Sequence, residues 1–178
     1  YYGFSDSLTT LIEGIVARTP EGVRFEYRPG TLLLHVPANP STWPTMAAAR
    51  SDVVIACMGL SPQMEGEEGD AIESPANGDR TEIGLPAVQA DYLRELKANG
   101  SRIVLVLTGG SAIALGDIAD LADAILFVWY PGQEGGHAVA NILFGVAAPS
   151  GKLPLTFPRS LDQLPPFEEY SMAGRTYR

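Results

Sequence analysis

The chain has little cysteine, few basic residues and no long hydrophobic run, and each shortage excludes a class of protein. Cys57 is its one cysteine, which excludes an internal disulfide framework, and its place in an apolar segment predicts a core residue, not a nucleophile. The chain has 12 Lys and Arg against 21 Asp and Glu, a net charge of −9. Because the basic residues form no stripe, we expect neither nucleic acid nor a membrane surface as partner. No apolar stretch reaches the roughly 20 residues of a membrane-spanning helix.

The composition that remains is typical of one globular domain. Of the 178 residues, 46% are hydrophobic and 19% are charged, enough apolar material for a full core. We therefore expect residues 1–178 to form a single domain. The first residues include no initiator methionine and no signal-peptide pattern, so we expect a soluble piece of a longer protein. Its compartment stays open among secreted, periplasmic and cytoplasmic.

Hydrophobic periodicity predicts alternating helices and strands along the chain. The predicted helices cover residues 8–16, 45–50, 85–98, 112–121 and 134–144. The predicted strands cover residues 23–27, 31–36, 52–58, 102–107, 124–129 and 153–157. Continuous apolar strands between helices indicate a sheet that is buried on both faces. The fold class is therefore α/β, a three-layer sandwich with a mostly parallel central sheet and helices on both faces.

The segment between residues 60 and 85 is the strongest candidate site. It follows a predicted buried strand, at the sheet edge where open α/β folds bind ligands, and it exceeds the usual length of about 2 to 6 residues for such a connection. It holds seven of the 21 acidic residues: Glu65, Glu67, Glu68, Asp70, Glu73, Asp79 and Glu82. Three interpretations are open. The segment is a solvated acidic loop, a calcium site without EF-hand spacing, or the place of a catalytic carboxylate whose pKa crowding or desolvation raises.

Weaker signals come from three other places. The turn at 108–111 follows a strand and could offer backbone N–H groups to an anion, although a packing turn is the simpler interpretation. His35 and His137 lack the spacing of zinc ligands, so we expect no metal and no other cofactor. Residues 129–136 place aromatic rings beside a Gln/Glu pair at the same sheet edge as the acidic segment. That combination suits a sugar, whereas a glycine-rich turn that leads into a helix is the competing interpretation.

Five motifs resemble the C-terminal α/β-sandwich domain of family 3 glycoside hydrolases, the β-glucosidase and β-xylosidase family. In chain order they are GLSPxxEGEE (59–68), GDRTxIxLPxxQ (78–89), WYPGQEGG (129–136), PSGKLPxTFP (149–158) and GRTY (174–177). The resemblance implies a two-domain retaining enzyme. An N-terminal (β/α)8 barrel, which this chain lacks, would carry the aspartate nucleophile, and the sandwich domain would supply the general acid/base for terminal β-D-glucosides or β-D-xylosides. Retaining chemistry needs the two carboxyl groups about 5 to 5.5 Å apart.

The resemblance also implies roles for individual residues. For the general acid/base, the family's pattern points first to Glu67, then to Glu68, and third to Glu65. The other expected site residues belong to the substrate side: Asp79, Arg80, Tyr130, Gln133 and Glu134. The Asp-Arg pair matches a recurrent pair that fixes the loop through a charge-assisted hydrogen bond.

Without the nucleophile, the chain is expected to be inactive or nearly so alone. Its expected partners are the barrel domain of the same enzyme and a β-linked sugar. The alternative is a non-catalytic module that binds sugar or supports assembly, since an acid without a nucleophile is not a glycosidase. A flavodoxin-like nucleotide or metal-ion domain is a further alternative. We also expect an exposed apolar docking face near the C-terminal ends of the strands, through which the chain could self-associate.

Overall fold

A parallel three-stranded sheet lies at the centre of the computed structural model, which describes residues 5–39, 42–66, 69, 71–74, 76–173 and 175. Its strands are β1 (Val54–Gly59), β2 (Ile103–Thr108) and β3 (Ala124–Phe127), in that spatial order. Val54 pairs with Ile103 and Gly59 with Thr108, while Val104 pairs with Ala124. Because all three strands run the same way, their carboxyl ends meet at one edge of the sheet.

Helices cover both faces of this sheet. They are α1 (Leu11–Arg18), α2 (Thr42–Ala48), α3 (Ala87–Ala98) and α4 (Gly135–Leu143), with 3₁₀ turns at Gly116–Leu121 and Leu161–Gln163. Leu93 and Leu96 of α3 belong to the main core together with alternate residues of β2, among them Leu105. Strand alternation places Val106 on the opposite face, where it is also fully buried. The three-layer α/β arrangement is therefore confirmed.

Helices α1 and α4 pack backbone against backbone. A Cβ atom on Gly14 would lie 2.0 Å from the Gly136 carbonyl oxygen, and one on Gly136 would lie 2.0 Å from the Thr10 carbonyl oxygen. Only glycine fits at either position. Thr10 also begins α1, because it forms a capping box with Glu13 in which each residue's side chain accepts the other's backbone N–H.

Three of the predicted strands are wrong. Residues 23–27, 31–36 and 153–157 contain no strand in the structure. In the first segment the alternate apolar residues stay exposed, Val23 at 56%, Phe25 at 41% and Tyr27 at 58%. Glu26 between them pairs with Arg24 and Arg28. The alternating pattern was present, but a strand also needs a partner to complete its hydrogen bonds, and none of the described strands lies alongside.

The other predicted elements are confirmed with shifted ends. The helix expected at 8–16 begins at Leu11, and the one expected at 45–50 covers Thr42–Ala48. The helix expected at 112–121 is reduced to the 3₁₀ turn Gly116–Leu121. Gly100 ends α3 with a positive φ of 80°, as the Asn-Gly signal predicted. In the described part of the chain, no helix is long and apolar enough to cross a membrane.

Cys57 is not the core residue that the sequence predicted. It is exposed on β1, where it lines a cavity of about 200 Å³ with Leu11, Leu32 and Thr108. Its position on the strand faces away from the main core, because its neighbours Ala56 and Met58 take the core side. The surrounding protein still raises the pKa of the thiol to about 11 by desolvation. The thiol is therefore protonated at neutral pH and a poor nucleophile, as predicted.

Candidate functional site at the strand ends

The acidic loop, residues 60–85, is attached to the domain at both of its ends. Its first residue, Leu60, donates its backbone N–H to the Thr108 carbonyl at 2.9 Å. At the far end Gly84 forms a parallel bridge with Ala114, just beyond β2. Several of its described residues are buried: Leu60, Met64, Ala71, Ser74 and Leu85. The described part of the loop is therefore packed on the domain, which argues against a purely solvated acidic loop.

A buried glutamine fixes the point where the loop leaves β1. Gln89, which is 1% exposed, accepts the Gly59 backbone N–H and donates to the Gly59 carbonyl, both at 2.8 Å. Its amide also donates to the Leu33 carbonyl at 2.9 Å. Gln89 was not among the predicted site residues. Its spacing to Leu93 and Leu96, on the apolar face of α3, was the signal that it is buried and needs partners.

The Glu65 carboxylate lies where three chain segments meet. Its Oε2 accepts the Gly110 backbone N–H at 2.7 Å and the Tyr130 hydroxyl. Its Oε1 accepts the Ser111 hydroxyl and Nη1 of Arg80, the latter at 3.1 Å. The side chain is only 10% exposed. One carboxylate thus joins the acidic loop to the turn after β2 and to the turn after β3.

These donors decide the charge of Glu65. Burial by itself would raise the pKa of the carboxyl group, because it disfavours the charged form. The hydrogen bonds from Ser111, Tyr130 and Gly110 and the positive charge of Arg80 outweigh burial, and the pKa of Glu65 is lowered. Burial and the neighbouring Glu65 charge raise the pKa of the Tyr130 phenol. At neutral pH Glu65 is therefore ionised, and Tyr130 remains its donor.

Arg80 holds the later part of the loop against this carboxylate. Besides Glu65, it donates from Nη1 to the Ser111 hydroxyl at 3.0 Å and from Nε to the Glu82 carbonyl at 3.0 Å. Its side chain is 14% exposed, and its buried Nη2 has no hydrogen-bond partner among the described residues. Asp79 beside it is exposed. Arg80 thus forms a charge-assisted bond with Glu65, a residue other than the Asp79 with which the sequence motif pairs it.

The turn after β2 binds a carboxylate of the same chain. Gly110, whose N–H was a candidate anion donor, binds the Glu65 carboxylate. A Cβ atom on Gly110 would lie 3.1 Å from Cε2 of Tyr130 and 3.2 Å from Oε2 of Glu65, so the turn is also tightly packed. The packing turn and the anion-binding turn are thus the same feature.

The end of β3 turns two aromatic rings in different directions. Trp129 has a positive φ of 56°, which is rare for a bulky residue and marks a constrained backbone. Its ring packs edge-on against Phe127, with centroids 4.7 Å apart, and against Phe157 at 6.3 Å. The next residue, Tyr130, reaches Glu65 instead. The sharp turn at Trp129 therefore separates an aromatic cluster from the carboxylate site.

Gln133 and Glu134 make their contacts away from the Glu65 carboxylate. The Gln133 side chain accepts the Ser5 hydroxyl at 2.8 Å, and its backbone carbonyl accepts the Thr9 N–H at 2.9 Å. Oε2 of Glu134 lies 2.8 Å from Nδ1 of His137, with both side chains more than half exposed. The structure thus gathers Glu65, Arg80 and Tyr130 at one point, whereas Gln133 and Glu134 contact the N-terminal segment and α4.

The first two choices for the acid/base, Glu67 and Glu68, lie outside the described residues. Metal binding can be examined for the described ones. Among these, no group of three or more His, Cys, Asp or Glu side chains is arranged to hold a metal ion. The Glu65 carboxylate is instead neutralised by an arginine and by hydrogen-bond donors.

Known proteins share this fold and these sequence patterns. Residues 2–178 match the model of the glycosyl hydrolase family 3 C-terminal domain. The chain is 53% identical over 126 residues to a xylan 1,4-beta-xylosidase of Xylanibacter ruminicola, and 44% identical over 131 residues to a periplasmic beta-glucosidase of Salmonella typhimurium. These alignments cover 70% and 74% of this chain, but 15% and 16% of those relatives.

A solved structure of a family member has the same fold over most of this chain. The crystal structure of a GH3 beta-glucosidase from Bifidobacterium adolescentis superposes with a TM-score of 0.73 at 33% identity, covering 88% of this chain and 22% of that one. The class is therefore that of a C-terminal α/β domain homologous to parts of larger glycoside hydrolases. The chain belongs to glycosyl hydrolase family 3, as its C-terminal domain. It spans less than a quarter of the length of each relative named here.

Proposed function

We propose that this chain supplies the general acid/base of a retaining β-glycosidase that hydrolyses terminal β-D-glucosides or β-D-xylosides. The nucleophile would come from a barrel domain outside the chain. The observation that carries the proposal is the attachment of the acidic loop through Glu65 to the ends of β2 and β3. This attachment holds an acid-rich segment at the sheet edge where α/β folds place their ligands.

The proposed proton donor is Glu67, with Glu68 as the second choice and Glu65 as the third. The choice follows from the resemblance of the loop to the family's pattern. In the first step the acid would protonate the leaving oxygen of the glycoside while the barrel's aspartate attacks the anomeric carbon. In the second step the resulting carboxylate would take a proton from water as the water oxygen attacks the anomeric carbon and displaces the barrel's aspartate, so the sugar is released with its configuration retained.

Arg80 is the proposed substrate-side residue with the strongest structural support. A buried N–H group that finds no acceptor is costly, and Nη2 has none among the described residues. A sugar hydroxyl is an acceptor of suitable chemistry. Asp79, which is exposed, and Tyr130, Gln133 and Glu134, which already have partners, remain proposed substrate contacts with less support.

Docking of the barrel is part of the same proposal. Several large apolar side chains are exposed, and one of them, Ile72, is 75% exposed on the acidic loop itself. An exposed apolar side chain beside a proposed active site suits an interface that another domain covers. The same surface could let the isolated chain self-associate, which light scattering over a concentration series would detect.

The test is to restore the enzyme and remove each candidate acid. The chain is combined with a barrel domain of a family 3 enzyme, and Glu67→Gln, Glu68→Gln and Glu65→Gln are each assayed on aryl β-glucosides and β-xylosides. Loss of the acid should lower the rate about 100-fold or more for poor leaving groups and much less for good ones, which need little protonation. Glu73→Gln, on the exposed part of the same loop, is the matched control. Full activity in all the glutamate variants would refute the proposal.

A further inference from the structure

We infer that Glu65 is the anchor that positions the acidic loop, and that the proton is donated by another glutamate of that loop. The inference rests on the proposed function, which it narrows. The contacts of the Glu65 carboxylate are complete without any substrate.

Both Glu65 oxygens already have two donors each. Gly110 and Tyr130 bind Oε2, while Ser111 and Arg80 bind Oε1. An ionised carboxylate has about four acceptor positions, so these four donors fill it. Adding a proton to either oxygen would set an O–H group against an existing donor. A proton donor must also reach the leaving oxygen, and a side chain that is 10% exposed and enclosed by donors is poorly placed to do so.

The electrostatics of the site point the same way. A general acid needs a pKa near the working pH, and enzymes obtain it by raising the pKa of a carboxyl group. Here the Ser111, Tyr130 and Gly110 hydrogen bonds, with the charge of Arg80, lower the pKa of Glu65 in spite of burial. Its environment therefore favours a permanent negative charge, which suits an anchor for Arg80.

An anchor at this position controls where the remaining glutamates can lie. Glu67 and Glu68 follow Glu65 by only two and three residues in the sequence, and each residue of an extended chain spans at most about 3.6 Å. A displacement of about 1 Å in a catalytic group can lower a rate by about 100-fold. Fixing Glu65 to the ends of β2 and β3 thus limits the position of the proposed acid without placing Glu65 in contact with substrate.

The test distinguishes the loss of the proton donor from the loss of its positioning. It uses the enzyme assembled from this chain and a barrel domain. Glu65→Gln, Glu67→Gln and Glu68→Gln are assayed on dinitrophenyl and phenyl β-glycosides, with and without azide, a nucleophile that needs no general base. Removal of the acid should lower phenyl glycoside hydrolysis about 100-fold more than dinitrophenyl hydrolysis, and azide should restore turnover of the activated substrate. Glu65→Gln should instead lower both rates by the same factor, about 10- to 100-fold, with no response to azide. Glu73→Gln is again the control.

A second measurement uses the chain alone and needs no activity. In Glu65→Gln, hydrogen exchange at the Gly110 amide should accelerate at least about tenfold, because its charged acceptor is lost. The pKa of the Tyr130 phenol should fall, as followed by ultraviolet absorbance, with Tyr130→Phe identifying its signal. If Glu65→Gln does not fold, Tyr130→Phe, which removes a single donor, should give a smaller loss that is again equal for both substrates.

The possible failures are distinguishable. Leaving-group dependence and azide rescue in Glu65→Gln would overturn the anchor role, and so would rates and Gly110 exchange equal to those of Glu73→Gln. If no glutamate variant shows leaving-group dependence but Gly110 exchange and the Tyr130 titration change as expected, the proposed acid/base function fails. The anchoring of the loop by Glu65 would still stand in that case.

Discussion

Glu65 and Glu134 both follow strands at the carboxyl edge of the sheet, yet their surroundings differ in almost every respect. Glu65 is 10% exposed and has donors from Arg80 and from the turns after β2 and β3. Glu134 is 65% exposed and pairs with His137 one turn along α4. Residue type and position at the sheet edge are the same, so the number of donors that neighbouring segments present makes the difference. Because donors enclose Glu65, its charge holds neighbouring chain segments together. Glu134 forms only an exposed ion pair with His137.

The most direct test of this difference is to truncate the Glu65 and Glu134 side chains. Glu65→Ala leaves the Arg80 charge buried without its partner, and we expect a loss of about 3 to 5 kcal/mol in the free energy of unfolding. Glu134→Ala should leave the urea midpoint unchanged within error, because exposed pairs contribute little. Urea denaturation at pH 7, with equal slopes for all variants, is the measurement. Equal midpoints for the two variants would mean that the Glu65 contacts do not persist in solution.

Lowering the pH should reduce the stabilisation of the folded state by Glu65. The pKa of Glu65 is lowered from its ordinary value of 4.5 in the folded protein. The charged form therefore stabilises the folded state fully above the ordinary pKa, and this contribution is lost as the pH falls through the lowered value. The stability gap between wild type and Glu65→Ala should be constant at neutral pH and shrink below about pH 4.5. Urea titrations between pH 3 and 7 would show it, and a gap that stays constant to pH 3 would count against an ionised Glu65.

The smallest effect is expected at the other glutamate. His137→Ala removes the partner of Glu134, and both side chains are more than half exposed. We expect a change in stability at the limit of detection, because solvent screens the pair. About 1 M NaCl should abolish whatever difference exists, since the Debye length then falls to about 3 Å. A clear loss that persists in salt would show that Glu134 is more enclosed than the structure indicates.

The sheet and most helices were predictable because their signals are local. The apolar runs of β1, β2 and β3 indicate strands and the periodicity of α3 indicates a helix, without reference to any partner. The extended segments at 23–27, 31–36 and 153–157 carry a similar local signal, yet they form no strand. Strand formation depends on a neighbouring strand, and that information does not lie within the segment itself.

The site was predictable in its location and not in its contacts. Parallel strands bring the acidic loop and the turn after β3 to one edge, and the sequence indicated this. It did not indicate that Tyr130 turns towards Glu65 while Trp129 turns towards Phe127, because that depends on a positive φ in a bulky residue. Gln89 was detectable as a lone polar residue on an apolar helix face. Its three backbone partners come from distant segments and were not.

The attachments of the acidic loop have a consequence for how the domain tolerates change. Leu60, Glu65 and Gly84 divide the connection into shorter segments, and the longest of these runs from Glu65 to Arg80, where Ala71 and Ser74 are buried but Ile72 is exposed. The entropy of closing a flexible loop rises only with the logarithm of its length, so doubling an exposed part of this segment would cost about 0.6 kcal/mol. Insertions and deletions there should leave the tethers in place. One buried carboxylate thus allows the neighbouring sequence to change in length and composition while the core stays the same.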